Sequence, residues 1–420
     1  MGISLSEIDL LDLDNFVQGV PHHWFRLLRE EAPVYWHPTR EGSGFWVLTK
    51  YHDLVAVSMD TATFSSARGI TLPDQQFFAG QYLMMITTDP PRHTKLRRLV
   101  SQGFTPRMVS RLEPSIRQMA GALLDAAIAR GQCDFVTEVA AELPVQVIAQ
   151  FLGVPQEDRH AIFHWTNQIL GAGDPEYSGL ERLDHPKTPE EVEAIKAKLR
   201  QVIGEAARSM AAYLDRLEAE RRQQPREDIV TVFLNAQVDG ERLSYEERLA
   251  QFILLAVAGN ETTRNLISGG LLALLEHPDQ MERLRGDLSL LPTAIEEMLR
   301  WVSPVLYMRR TLTRDTEVRG VTMKAGQKVT LWYVSANRDE EVFPEPDRFD
   351  ITRTPNDHVA FGAGGPHFCL GAALARLEAR VLFEELLRRP YEVELAGPVE
   401  RLRSNFINGI KHMPVRFRPR

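Results

Sequence analysis

The longest helical pattern in the chain runs over 245–277, and it limits what any fold can be built around. Ser244, with Glu247 three residues on, makes a capping box at its start, and His277-Pro278 ends it, because proline cannot continue a helix. About 33 residues at about 1.5 Å each give a rod of about 50 Å, enough to cross a domain from side to side. Such a helix is expected to run through the core. Its centre, Ala258-Gly259-Asn260-Glu261-Thr262-Thr263, then stands out. A glycine, a carboxylate and two β-branched alcohols each weaken a buried helix or cost desolvation. Residues of that kind in that place point to a function.

Helical spacing recurs over 107–130, 136–152, 190–222, 279–288, 292–301 and 371–389. Short runs such as Phe45-Trp46-Val47-Leu48-Thr49 in the first ninety residues, and 328–334 within the proline- and glycine-rich 303–365 stretch, predict small sheets. There is no internal repeat; 171–190 and 221–228 read as polar surface connections, not domain linkers. The expected fold is therefore mainly α with small β-sheets, one domain over 1–420. With 420 residues and a net charge of -8, nucleic acid is not expected as a partner. The most apolar stretch, 252–275, is broken by Glu261 and Arg264, so no membrane span is expected. The first residues lack the basic and apolar regions of a signal peptide. The 2 cysteines, Cys133 and Cys369, support neither a disulfide framework nor a four-thiolate metal site, which fits a reducing, cytoplasmic setting.

Cys369 lies in Phe361-Gly362-Ala363-Gly364-Gly365-Pro366-His367-Phe368-Cys369-Leu370-Gly371, a glycine-rich loop at the mouth of the last helix. Glycines let backbone pass close to a flat ligand, and a helix start offers N–H donors and a positive dipole end that favour a thiolate. Cys133 has no such company and reads as a packing residue.

Taken with four other segments, this loop resembles the haem-binding signature of the cytochrome P450 family, the haem-thiolate monooxygenases, and the resemblance covers essentially the whole chain. The other segments are Ala258 to Thr263, which looks like the family's oxygen-binding helix motif; Glu297-Met298-Leu299-Arg300, its Glu-x-x-Arg motif; Pro346-Asp347-Arg348-Phe349, the arginine segment completing that network; and Asp89-Pro90-Pro91-Arg92-His93-Thr94-Lys95-Leu96-Arg97-Arg98, the stretch soluble bacterial members place against the haem propionates.

What the resemblance implies is specific. Haem b is to lie between the long central helix and the cysteine loop with the last helix. Cys369 is to ligate the iron as a thiolate, Leu370 and Gly371 N–H groups are to tune the sulfur, and Phe361, with Gly362 beside it, is to shield it. Arg97, Arg310 and His367 are to meet the propionates, with His93 a further donor and Arg309 the alternative to its neighbour. Thr262 is to turn its hydroxyl toward the Ala258 carbonyl, opening a groove at the level of Gly259 where O2 lies, with Glu261 and Thr262 feeding protons. Leu255, Ala258, Gly259 and Thr262 share one face toward the haem. Glu297 and Arg300 are a structural ion pair.

The chain carries no flavin or dinucleotide fingerprint, so electrons are expected from a ferredoxin and its ferredoxin reductase. Seven lysines and arginines against one acid, Glu113, between Arg92 and Arg117, with Arg376 and Arg380, form a patch that suits an acidic donor. The substrate is expected to be small and hydrophobic. The 258–265, 174–177, 400–405 and 408–412 segments look like actinobacterial members that oxidise sterol side chains and methyl-branched lipids, and a terpene-alcohol or other natural-product hydroxylase shares part of this. The 155–225 stretch is expected to form a mobile lid. A peroxygenase, a non-catalytic haem sensor and a cysteine hydrolase using His367 and Cys369 are the rival classes, the last disfavoured because residues two apart in a loop seldom meet as nucleophile and base.

Overall fold

The computed structural model describes residues 4–39, 43–72, 81–179, 188–238 and 240–420. At its centre is the helix Tyr245–Glu276, capped as expected: Ser244 accepts from the Glu247 N–H while the Glu247 side chain reaches back. Its residues from Leu266 to Leu274 are almost all buried, so apolar side chains cover its full circumference there. Against it pack the helices Glu142–Leu152, Arg159–Leu170, Leu291–Val302 and Ala372–Arg388. Gly259 makes one of these contacts possible. A Cβ there would sit 2.7 Å from Ile148 Cδ1, so only glycine lets the Glu142–Leu152 helix come this near. The expectation that Gly259 opens a groove toward the haem is thus amended: its missing side chain is filled by Ile148.

Two expected helices are divided, each by a proline. The 107–130 stretch becomes Pro106–Arg111 and Glu113–Ala129, because Pro114 takes a first-turn position of the second helix. The 136–152 stretch begins as a π-helical turn over Val136–Ala140, closed by Ala141 N–H donating to the Val136 carbonyl, before Glu142–Leu152 carries Pro144 in its first turn. Arg159–Leu170 is a further helix, inside the stretch read as lid.

The main sheet has five strands in the order Val34–Pro38, Gly44–Leu48, Lys328–Trp332, Tyr307–Leu312, Phe64–Ser65. All pairings are antiparallel except Gly44–Leu48 with Lys328–Trp332. Amino-terminal and late segments therefore share one sheet, which sets the Tyr307–Leu312 strand beside the haem loop.

Of the two connections read as polar surface, 222–227 is exposed as expected, whereas 171–174 is largely buried, and each connection is anchored by buried charges. Asp174 is buried, accepts from the Arg403 N–H at 3.0 Å and pairs with Lys411 at 3.2 Å, fastening 171–179 to the carboxy-terminal strands; residues 180–187 of that connection lie outside the described ones. Arg221 and Asp228 are also buried, paired at 2.5 Å, with Arg221 donating to the Gly153 carbonyl. Their polarity is satisfied inside the protein, a pairing across seven residues that composition cannot display. Cys133 is a core residue whose thiol is pushed up to about 12 by burial.

Candidate active site

The cysteine loop reaches its shape through left-handed backbone. Gly362, Gly364 and Gly365 have φ of 96°, 82° and 75°, and a Cβ on Gly365 would lie 2.2 Å from the Ser58 carbonyl oxygen. The Cys369 N–H donates to the Phe361 carbonyl at 2.9 Å, which fixes the cysteine at the mouth of the Ala372–Arg388 helix. The Phe361 ring lies under the Arg376 guanidinium at 4.5 Å. Leu370, next to the cysteine, packs into the same apolar cluster as Leu254 and Val257 of the long helix, so loop and helix face each other across a cleft. Cys369 itself is exposed, beside that cleft. Desolvation by the protein packed around the sulfur still pushes its thiol up, opposed by N–H groups of Gly371 and Ala372 and by the charges of Arg97 and Arg376. The helix begins at Ala372, so its first N–H groups point back along the axis toward the sulfur.

Across the cleft, the Thr262 hydroxyl donates to the Ala258 carbonyl at 2.8 Å, and Ala258 is exposed in the middle of an otherwise buried helix. Leu255 by contrast is buried, on the edge of this face. Glu261 points away from the cleft. Its carboxylate is fully buried, ion-paired with Arg264 one turn on, while Arg264 also donates to Asn167 Oδ1 at 3.2 Å and lies over the Tyr177 ring. One oxygen, Oε1, has no partner among the described residues. Burial raises the Glu261 pKa against the pull of Arg264. Glu261 and Thr262 thus project about 100° apart on the helix and turn to different partners, so they do not touch as a pair. Arg264 carried a signal in its i, i+3 spacing from Glu261; Asn167 and Tyr177 carried none.

The cleft's rim holds a cluster of cations and imidazoles within reach of Asp89, whose carboxylate is already taken by the Ser65 hydroxyl and the Ser66 N–H. His93, from the helix Arg92–Ser101, stacks on His367 with ring centroids 4.2 Å apart, and both its ring nitrogens are buried with no partner among the described residues. Burial and then the Arg97 charge press His93 to about 4; burial, Arg310 and His93 press His367 to about 2. Among the described residues the hydrogen-bond partner of His367 is Ser66 Oγ at 3.3 Å. Of the two adjacent arginines on Tyr307–Leu312, Arg310 is the one beside these histidines; strand alternation turns Arg309 the other way, to the carbonyls of Arg68 and Thr71. Arg97 and Arg310 have no carboxylate partner among the described residues. A folded chain does not normally assemble mutually repelling groups around an empty wall. Two buried carboxylates on a flat ligand would complete it, so these residues fit haem.

Behind the loop, Glu297 and Arg300 form a fully buried two-point ion pair at 2.8 Å. The arginine that completes the network is Arg353, 3.2 Å from Glu297, and Asn356 joins it. Arg348 contributes only its carbonyl to Arg300 and turns its side chain outward to Glu345. The basic patch is also smaller than its composition. Arg117 and Arg380 pair with Glu113 and Glu384, Arg376 with Glu296, and Arg92 with Glu247, leaving Arg98, Arg107 and Arg111 exposed and without ion pairs among the described residues.

The chain belongs to the cytochrome P450 family, whose model matches residues 10–411. Members are haem-thiolate iron enzymes, and this chain is a haem-dependent monooxygenase of that family. It is 45% identical over 424 residues to the methyl-branched lipid omega-hydroxylase of Mycobacterium tuberculosis, covering 98% of this chain and 94% of that protein. It is 39% identical to the steroid C26-monooxygenase of the same species, over 97% of this chain and 92% of the other. Among solved structures, a Mycobacterium marinum cytochrome P450 in complex with pseudoionone superposes with a TM-score of 0.84 at 38% identity, covering 94% of each chain. No described helix is long and apolar enough to cross a membrane.

Proposed function

We propose that this chain, acting as one domain over 1–420 in the cytoplasm, hydroxylates a C–H bond of a sterol-like or methyl-branched lipid, with electrons from a ferredoxin and its reductase. The observation that carries the substrate class is the near full-length identity to relatives named for a methyl-branched lipid and a steroid. Haem, held by Cys369 as thiolate with Arg97, Arg310, His93 and His367 on its carboxylates, supplies the oxygen-activating chemistry. Gly371 and Ala372 N–H groups and Arg97 hold negative charge on the sulfur. Phe361 and Gly362 keep water from that side.

On the opposite wall Thr262 holds a proton at its hydroxyl, and leaving the Ala258 carbonyl frees it to donate into the cleft. Glu261 is the proton source behind it. Its side chain must swing from Arg264 to reach Thr262 or solvent, and movement of Arg159–Leu170, which bears Asn167, loosens that hold. The lid over 155–225 thereby couples substrate closure to proton supply. Ala258 and Leu255 shape the apolar side of the cleft.

A second reading, a terpenoid hydroxylase, is favoured by the structural likeness to a relative solved with pseudoionone. A spectral binding screen separates them: sterols or branched fatty acids should shift the ferric iron from low to high spin, and a shift with terpenoids alone would favour the second. Product formation with peroxide alone, equal to that with ferredoxin, reductase and NADPH, would instead mark a peroxygenase.

A further inference from the structure

A cavity of about 210 Å³ lies away from the haem cleft, at the far end of the long helix. Its walls come from the amino-terminal segment around His22, the stretch from Gly269 to Glu276, the end of Leu291–Val302, and the strand pair Glu400–Arg401 and Ile410–His412. Gly269 is seven residues beyond Thr262, about 10 Å along the axis, and the cavity extends from there away from the cleft.

Leu272, Trp301 and Val302 give it apolar surface, while His22, Arg338 and Arg401 bring three nitrogen-rich side chains within electrostatic reach of one another. Each of the three leaves hydrogen-bonding capacity unused among the described residues. Arg338 is only 6% exposed; its Nη1 donates to Asp347 at 2.8 Å and its guanidinium lies 4.0 Å over the Trp301 ring, yet its Nε is buried without an acceptor. His22 Nδ1 is buried and unpartnered as well. Arg401 makes no ion pair or hydrogen bond among the described residues and feels only the more distant Glu276 carboxylate.

The charges do not balance. Asp347 is shared between Arg338 and the surface residue Arg26, and Glu276 is the one acid in the wall. Water can satisfy an orphaned N–H, but it does not neutralise two guanidiniums on a half-apolar wall. An anion does both, and arginine forks suit a carboxylate.

We propose that this cavity is a second binding site, taking a small organic carboxylate with its head between Arg338, Arg401 and His22 and its apolar body against Leu272, Trp301 and Val302. At about 30 Å³ per liquid water, the space takes an acid the size of benzoate and excludes a sterol. Nothing in this assignment depends on the substrate of the haem cleft.

The test is equilibrium dialysis of the holoenzyme against radiolabelled benzoate, with an azole on the iron to close the haem cleft. One equivalent should bind per chain without changing the haem spectrum, and Arg401→Gln, at a half-buried residue with no partner to lose, should weaken binding about tenfold or more. An unchanged unfolding midpoint and carbon monoxide spectrum would show that this variant is intact. Absence of saturable binding up to about 10 mM, or equal binding by wild type and Arg401→Gln, would overturn the proposal. Inorganic phosphate displacing benzoate with equal affinity would overturn the carboxylate assignment, since phosphate gains nothing from the apolar wall.

Discussion

Thr262 and Glu261 occupy adjacent positions but opposite environments, and the proposed proton path depends on the difference. The hydroxyl faces the cleft and is held by a single bond to the Ala258 carbonyl; the carboxylate is dry and held by Arg264. Thr262→Ala should therefore leave substrate binding nearly intact while lowering product per NADPH and raising peroxide release; unchanged coupling would remove Thr262 from the path. Thr262 and Cys369 were legible in the sequence because their roles follow from local features: an alcohol four residues after a carbonyl, and a cysteine after glycines at a helix start. The hold on Glu261 was only half legible. Arg264 is on the same helix, whereas Asn167 comes from another, and no sequence spacing announces a contact across 97 positions.

Elements are fastened here by buried ion pairs as much as by apolar packing. Removing one partner of Glu297–Arg300 strands a charge in a site where both side chains are 0% exposed. Arg300→Ala should cost about 3–5 kcal/mol in denaturant unfolding of the protein; a loss under about 1 kcal/mol would mean the network relaxes freely. The Glu-x-x-Arg spacing gave the pair, but the completing arginine lies 56 residues from Glu297 and is Arg353, not the expected Arg348, because the turn between them directs the Arg353 side chain inward. His412 makes a second fastening, bridging Asp134 at the sheet and Glu176 of the 174–179 turn. These carboxylates raise its pKa above the ordinary 6.5, after a smaller opposing effect of partial burial than their sum. A raised folded pKa means the native state holds the proton more tightly. The stabilisation is complete below 6.5 and is lost as pH rises through the folded value. Unfolding midpoints of wild type should fall on raising the pH from 6 to 9 relative to those of His412→Gln; parallel curves would show that the bridge contributes nothing. Helix existence followed from periodicity, whereas the splits at Pro114 and before Pro144 follow from where each proline falls in a first turn.

At the scale of the molecule, a net charge of -8 coexists with a small positive surface. Four of the nine basic residues of that patch, Arg92, Arg117, Arg376 and Arg380, pair with acids, and the exposed Arg98, Arg107 and Arg111 are the ones proposed to steer an acidic donor. Reversing charge at Arg98 and Arg107 should slow the ferredoxin-supported rate and flatten its dependence on salt, with the peroxide-driven rate unaffected. An unchanged salt dependence would place the donor elsewhere. The arrangement of long helix, glycine loop and rim cations around one cleft rests on Cys369 as the ligand of the haem iron. Replacing Cys369 by alanine and recording the carbon monoxide spectrum of the reduced protein tests this most directly. Wild type should give the thiolate-type band and Cys369→Ala should lose it; a retained thiolate-type spectrum in Cys369→Ala would contradict the account.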